Sequence, residues 1–410
     1  MTTETSGRKL PAWAVPAALS AFVLLGRLLP LPPLTDFATG KAAVDFALVF
    51  PLGYQLFAPF SALADLLTLN ALPQHLAWLA WLLLGWWPLR WVLRERGRPV
   101  SLAREAGLYA LWLILVAAFL AWATLAPRPM ARLRAADPEV LLFDMHSHSA
   151  RSWDGRRSFG PKENMEWHRA AGYSASFLTD HNRAEGSAEA KALSGAGLRS
   201  LYGVELSLDD AHVVVLGPRT EPRQKDYEDG QAGLARLLKD CGPKYGALCV
   251  MSLPEYRRRR WEERERRVDQ GAGGFELLNG TPKGLAFSAS DRAAVLELSR
   301  RRNLPVFAAS DDHGFSRAAP AWNAARLNGH GLLGADALER SLLALLKKEG
   351  FGATRVIARA RREPSPLALP LEPPLALWTL VRTLAPLQTA VTLLWLWAAW
   401  LALAGARRRS

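Results

Sequence analysis

A chain of 410 residues exceeds what one hydrophobic core usually organises, so at least two structural units are expected. Its formal net charge of +13 would ordinarily direct attention to nucleic acid, but the apolar ends hold +9 of that excess and the middle only +4. Basic residues that flank apolar runs fit a membrane better than a nucleic acid, and nucleic acid is not expected as a partner.

The N-terminal region, residues 1–134, carries eight of the sixteen tryptophans among Leu- and Ala-rich stretches. A membrane span needs about 20 apolar residues, and four candidates approach that: 12–34, 44–69, 74–93 and 106–126. The stretch LAWLAWLLLGWWPLRWVL reads as a span with an aromatic belt and an arginine anchor. The second candidate contains Pro51, Gly53, Pro59 and Asp65, so a kinked span, a re-entrant segment or an interfacial loop all suit it. The first apolar stretch lacks a small-residue cleavage site, which argues against a secretory leader. The basic loop holding Arg90, Arg94, Arg96, Arg98 and Arg104 reads as cytoplasmic, which places the following domain outside the cell in a multi-pass cell-membrane protein. Arg128, Arg132 and Arg134 before that domain, and Arg359, Arg361 and Arg362 after it, count the other way.

Residues 135–365 alternate short β-rich runs with helical patterns. The runs are VLLFDM, ASFLTD, LYGVEL, AHVVVLG, ALCVMS, GFELLNG and PVFAAS. Helices are expected after Pro161, over SAEAKALSGAG, over QAGLARLLKD, and over SDRAAVLELSRRR behind a Ser290 cap. Such alternation predicts parallel β/α units, and seven in this length suggest a barrel rather than an open sheet. The run ends carry chemistry: His146 and His148 follow the first, Asp180 and His181 end the second, Glu205 lies in the third, His212 opens the fourth, and Asp311 and His313 follow the last. In a β/α barrel such ends share one rim. Cys241 and Cys249 are too few for a disulfide framework; they could pair in an oxidising compartment, but a buried, unpaired Cys249 in ALCVM is the favoured expectation. His75, His168 and His330 read as ordinary polar residues at loops, and RRRRWEERERR, with Glu262 to Arg266 and Glu263 to Arg267 spaced i,i+4, as a solvated helix.

Taken in order, DMHSHSARSWDG, LTDHN, GVEL, HVVVLG, ELLNG and SDDHG resemble the polymerase and histidinol phosphatase (PHP) superfamily, in its stand-alone phosphoesterase branch, over about residues 140–330. The resemblance implies a distorted seven-stranded β/α barrel, here flanked by transmembrane helices, with two or three divalent ions at its rim. It implies that His146, His148, Glu205 and Asp311 hold one ion, that Asp154, His181 and His313 hold another, and that His212 serves a third bridged through Glu205. Where the family has His-Pro after the fifth strand, this chain has Leu253 before Pro254. Leucine cannot coordinate, so that third site is weak, or Glu255 substitutes, or two ions suffice.

Imidazoles and carboxylates without thiolates suit Zn, Mn or Fe. Paired ions activate a water for attack on a phosphate ester of a small phosphorylated substrate or nucleotide. Arg151, Arg156, Arg157, Lys162 and Arg183 stand near the motifs as candidate phosphate contacts, and Asn182 as an outer or substrate contact. Cleavage of another ester or amide bond, and a degenerate metal-binding sensor domain, are the alternatives. Residues 366–410 close the chain with one further span, about 384–404, and a basic tail.

Overall fold

The computed structural model describes residues 13–93, 101–195, 197–208, 211–252 and 263–409. Leu253, Glu255 and most of the arginine-rich run lie outside them. The helices are α1 (Ala14–Leu28), α2 (Leu52–Leu56), α3 (Ala58–Thr68), α4 (Leu72–Leu84), α5 (Trp86–Leu93), α6 (Leu102–Leu125), α7 (Pro161–Ala171), α8 (Glu185–Ala192), α9 (Gln231–Cys241), α10 (Arg264–Asp269), α11 (Ala289–Arg302), α12 (Ala335–Glu349), α13 (Glu372–Thr383) and α14 (Pro386–Arg409). The strands are β1 (Leu34–Asp36), β2 (Phe46–Val49), β3 (Arg132–Ala135), β4 (Val140–Asp144), β5 (Ala175–Leu178), β6 (Arg199–Leu208), β7 (Ala211–Leu216), β8 (Leu248–Met251), β9 (Gly274–Asn279), β10 (Val306–Ala309), β11 (Ala321–Arg326) and β12 (Arg355–Arg359).

Local chemistry sets the helix ends. Pro161 occupies the first turn of α7, and Gly172, with φ of +94°, ends it in the left-handed conformation. The cap of α11 is Ser288, whose hydroxyl accepts from the Asp291 N–H at 3.1 Å, two residues before the Ser290 expected from the sequence. Asn303 ends the same helix with a positive φ.

All seven apolar runs of the middle region are strands, but among the described residues the sheet has ten, in the order β1-β12-β11-β4-β5-β6-β7-β8-β9-β10. The expectation of parallel units throughout is corrected. The pairs β4/β5, β5/β6, β8/β9 and β9/β10 are parallel, whereas β7 runs antiparallel to both neighbours. The reason is length: only two residues separate β6 from β7, which permits a hairpin and no crossover. Beyond β4 the sheet continues antiparallel through β11, β12 and β1, so residues 34–36 of the N-terminal region supply its edge strand.

The sheet curls until its two regions meet. The Asn323 side chain of β11 accepts from the Ala308 N–H and donates to the Ala308 carbonyl, both at 2.7 Å. At the upper rim the Asp311 N–H donates to the His146 carbonyl at 2.9 Å, and the His148 N–H to the Asp312 carbonyl at 3.0 Å. These bonds bring the segment after β10 against the segment after β4. Alternation divides the core by face. Leu141, Phe143, Phe177, Val214, Val250 and Phe307 form one cluster with Leu338, Leu342 and Leu346 of α12, while Val213, Val215 and Cys249 pack with Leu234, Leu237 and Leu238 of α9. Cys241 and Cys249 are disulfide-bonded with their Cα atoms 6.0 Å apart, which corrects the expectation of an unpaired buried thiol: Cys249 is buried, and bonded.

Among the described residues, two helices are long and apolar enough to cross a membrane: Leu102–Leu125 and Pro386–Gly405. Of the other candidates, 12–34 contains the 15-residue α1, and 74–93 is split at Gly85 into α4 and α5. The candidate 44–69 is not one helix but β2, α2 and α3, broken at Pro51 and Phe57, with β2 paired to β3. Asp65 of α3 is buried there, ion-paired with Arg128 at 2.6 Å and Arg359 at 2.8 Å, and it accepts from the Tyr54 hydroxyl at 3.0 Å. This cluster ties the helices to the end of β12. α1 runs antiparallel to α14, with Trp397 Nε1 donating to Ser20 Oγ at 3.1 Å and the Arg382 guanidinium donating to the Leu29 carbonyl. α4 and α5 run antiparallel to α6, joined by Arg90 to Glu105 at 2.5 Å and by Trp112 Nε1 to the Leu82 carbonyl at 2.8 Å. Leu24, Leu25, Leu76, Leu84, Ile114, Leu115, Leu394 and Leu401 are exposed on these helices.

Candidate metal centre

Every motif-bearing run end reaches one place. Glu205 of β6 is fully buried and has four imidazoles around its carboxylate: His146 Nε2 at 3.1 Å, His148 Nε2 at 3.2 Å, His181 Nδ1 at 3.1 Å and His212 Nδ1 at 2.9 Å. The hairpin register explains the last of these. Ser207 pairs with His212 and Glu205 with Val214, so Glu205 and His212 are diagonal neighbours on one face. Asp311 Oδ1 stands 3.0 Å from His148 Nε2 and 3.5 Å from His146 Nε2. Asp154 Oδ2 stands 3.1 Å from His313 Nε2 and 3.3 Å from His181 Nε2. Three overlapping sets place one ligand atom from each member within 4.8 Å of the others: His148, Asp154, His181 and His313; His146, His148 and Glu205; His181, Glu205 and His212.

Those donors fit divalent ions. Tetrahedral coordination at ~2.1 Å separates ligand atoms by roughly 3.4 Å, close to the spacings above. His146 Nε2 and His148 Nε2 face each other at 3.0 Å, an arrangement of two nitrogens that needs a proton or a cation between them. Both Glu205 oxygens, Asp311 Oδ1 and Asp154 Oδ1 are buried without a hydrogen-bond partner, a costly state for carboxylates unless a cation meets them.

Electrostatics agree. Burial alone pushes the His148 imidazole down, but Asp311 and Glu205 outweigh it and raise it to about 10. Burial pushes Glu205 up, yet His146, His212 and His181 hold it well below the usual carboxylate range. Asp154 and Asp311 are likewise held low by their histidines, against the upward push of burial. The cluster draws positive charge, which a divalent ion supplies on displacing those protons.

The surrounding residues fix the ligands. Glu276 Oε1 lies 2.6 Å from His146 Nδ1, and Glu276 Oε2 accepts from Ser252 Oγ at 2.7 Å and Asn279 Nδ2 at 3.1 Å. Asn279 Nδ2 also donates to Asp311 Oδ2 at 2.8 Å. This carboxylate-to-histidine arrangement orients metal ligands elsewhere. Sequence reasoning quoted the run GFELLNG but missed Glu276 and Asn279 as site residues; the available signal was an acid and an amide inside an otherwise apolar strand. His168 is not at a loop but buried in α7, with Nε2 2.9 Å from Asp144 Oδ2. His75 on α4 contacts the Leu67 carbonyl at 2.8 Å, and His330 the Pro138 carbonyl at 3.0 Å.

Of the candidate phosphate contacts, Arg151 pairs with Glu189 at 2.9 Å. Arg156 donates to the carbonyls of Leu125 and Gly314 at 3.0 and 3.3 Å, and Lys162 stands 3.9 Å from Glu166. Arg157 and Arg183 are exposed. Asn182, with φ of +57°, accepts from the Ser207 N–H at 3.0 Å and donates its own N–H to the Glu205 carbonyl, so it locks the His181 loop to β6. Asp311 is also left-handed, with φ of +45°, a strained choice for an aspartate that turns its carboxylate into the cluster. Trp153, 82% exposed, stacks on His181 at 5.9 Å.

No family model and no curated protein matches the chain. Among solved structures it is similar to a Bifidobacterium adolescentis protein assigned as a metal-dependent phosphoesterase (18% identity, 42% of this chain and 88% of that one, TM-score 0.32). It is similar to an amidohydrolase from Chromobacterium violaceum (19%, 42% and 87%, TM-score 0.31). It is also similar to a two-domain Bacteroides vulgatus protein that contains a predicted PHP-like metal-dependent phosphoesterase (14%, 54% and 67%, TM-score 0.35).

Proposed function

We propose that the chain is a membrane-anchored, divalent-metal-dependent phosphoesterase. The observation that carries the reading is Glu205: a fully buried carboxylate with four imidazole nitrogens 2.9 to 3.2 Å from its oxygens. His146, His148, Glu205 and Asp311 would hold one ion, Asp154, His181 and His313 a second, and His212 with Glu205 a third. Zn, Mn or Fe held by these residues would supply Lewis acidity that makes a water nucleophilic near neutral pH. The chain's own residues position the rest: Glu276 holds the His146 ring, Asn279 holds Asp311, and Asn182 holds the His181 loop. Water supplies the oxygen of the new P–O bond, the ester P–O bond breaks, and the leaving alcohol takes the proton. Arg183 is the motif-adjacent cation we assign to the substrate phosphate.

The apolar helix surfaces support the membrane, and the Cys241–Cys249 disulfide supports an extracytoplasmic domain, because such bonds persist in oxidising compartments. Purified full-length protein should release p-nitrophenol from p-nitrophenyl phosphate when Mn or Zn is added, and His148→Ala should not. A chain holding well under one ion removes the metal centre from the reading. A metal-loaded chain inactive on every phosphoester tried removes the hydrolase.

A further inference from the structure

The metal rim does not open on water alone. A cavity of about 430 Å³ continues from Asp154, Asp311 and His313 away from the barrel, and Leu79 and Leu82 of α4 with Leu120 of α6 form its far wall. That volume suits a small-molecule site. The helical hairpin explains the space: the ties between its arms lie at Arg90 to Glu105 and at Trp112 to Leu82, and between Leu82 and the barrel the arms enclose the cavity. Leu79 of α4 and Phe315 of the segment after β10 both line it and are each 49% exposed, so it opens beside α4, where Leu76 and Leu84 are exposed as well. The wall also holds two buried polar atoms without hydrogen-bond partners, Trp78 Nε1 and His75 Nδ1.

From this continuity we infer that the substrate is a lipid phosphoester of the bilayer, its phosphoryl group at the metal ligands and its hydrocarbon chain between α4 and α6. The headgroup half of the inference rests on the phosphoesterase reading, and the chain half on the cavity. A nucleoside would need several placed hydrogen-bond partners, whereas on this helical wall the Thr68 and Thr124 hydroxyls already donate to the Asp65 and Leu120 carbonyls, which leaves Trp78 Nε1 and His75 Nδ1 among Leu67, Leu79, Leu82 and Leu120, enough for the linker between a phosphate and its tail.

The test uses the full chain in lipid nanodiscs with Mn, and alkyl phosphates from ethyl to octyl. kcat/KM should rise about fourfold per added methylene until the cavity is filled. Leu82→Trp and Leu120→Trp should lower the octyl-to-ethyl ratio at least tenfold, while Leu111→Trp, exposed on α6 and outside the cavity lining, keeps it. Independently of turnover, a hexadecyl phosphate with a diazirine in its chain should label peptides containing Leu79, Leu82 and Leu120 above those containing Leu111, Ile114 and Leu394. A flat chain-length profile, evenly spread label, or adenosine monophosphate cleaved faster than octyl phosphate overturns the inference. Concentrated label with no turnover on any ester breaks the phosphoesterase reading and leaves the chain site standing.

Discussion

The molecule buries carboxylates in two places and treats them oppositely. At the junction of helices and sheet, Asp65 has Arg128, Arg359 and Tyr54 against it, so the protein supplies its own compensating charge. At the rim, Glu205 and Asp311 are as deeply buried, and among the described residues only imidazoles stand in ion-pair contact with them. A buried carboxylate paired with arginine is a structural fixture whose loss costs stability. One surrounded by imidazoles has partners whose protons a divalent cation can displace. The same side-chain chemistry thus serves as a brace in one region and as an open valence in the other.

The largest expected effect comes from removing a shared ligand. His148→Ala should abolish metal-dependent phosphate release and lower bound metal, measured by elemental analysis, while Mn added at about 100 times its Kd should stabilise the parent by about 2.7 kcal/mol in thermal unfolding and the variant much less. Asp65→Ala should do the reverse: a loss of about 3–5 kcal/mol from two stranded guanidinium groups, read as a lower Tm, with metal content of the folded fraction unchanged. If Asp65→Ala instead empties the metal site, the two regions are one unit and the contrast fails. Replacing both cysteines by serine should cost about 2.5 kcal/mol for the short loop that the bridge closes, on the chain-entropy account, and the oxidised parent should show no thiol to a maleimide reagent in denaturant until a reductant is added. The smallest effect sharpens the rim itself: Glu276→Gln should weaken metal affinity about 10–100-fold by loosening His146, without moving the Tm of the metal-free protein by more than a few degrees.

Much of the fold was legible because hydrophobic period and position coincide. Five of the seven strand-forming runs of the middle region carry an imidazole or a carboxylate in or beside one end, and that coincidence points to a common rim. β7 was misjudged in direction because alternation reports burial and not strand sense; the short link after Leu208 was the usable signal. β11, with three alanines, and β1, three residues long beside an apolar candidate span, carry too little pattern to declare themselves. Stretch 44–69 leaves a kinked span, a re-entrant segment and an interfacial loop open, because hydropathy averages over Pro51 and Asp65, and only tertiary pairing shows that both mark a junction. At the site, the metal-type donors sit at run ends where a polar residue stands out. Glu276 hides inside a strand, where its worth depends on a histidine 130 residues away in sequence.

The edge of the sheet has a consequence for biogenesis. β1 leaves the ribosome before any other strand of this sheet, yet its partner β12 is the last to be made. The N-terminal strand must therefore wait, unpaired, through synthesis of the strands from β4 to β11, and its docking covers an edge that would otherwise invite pairing with a second chain. Completion of the sheet is thereby a signal that the polypeptide has been made as far as Arg359.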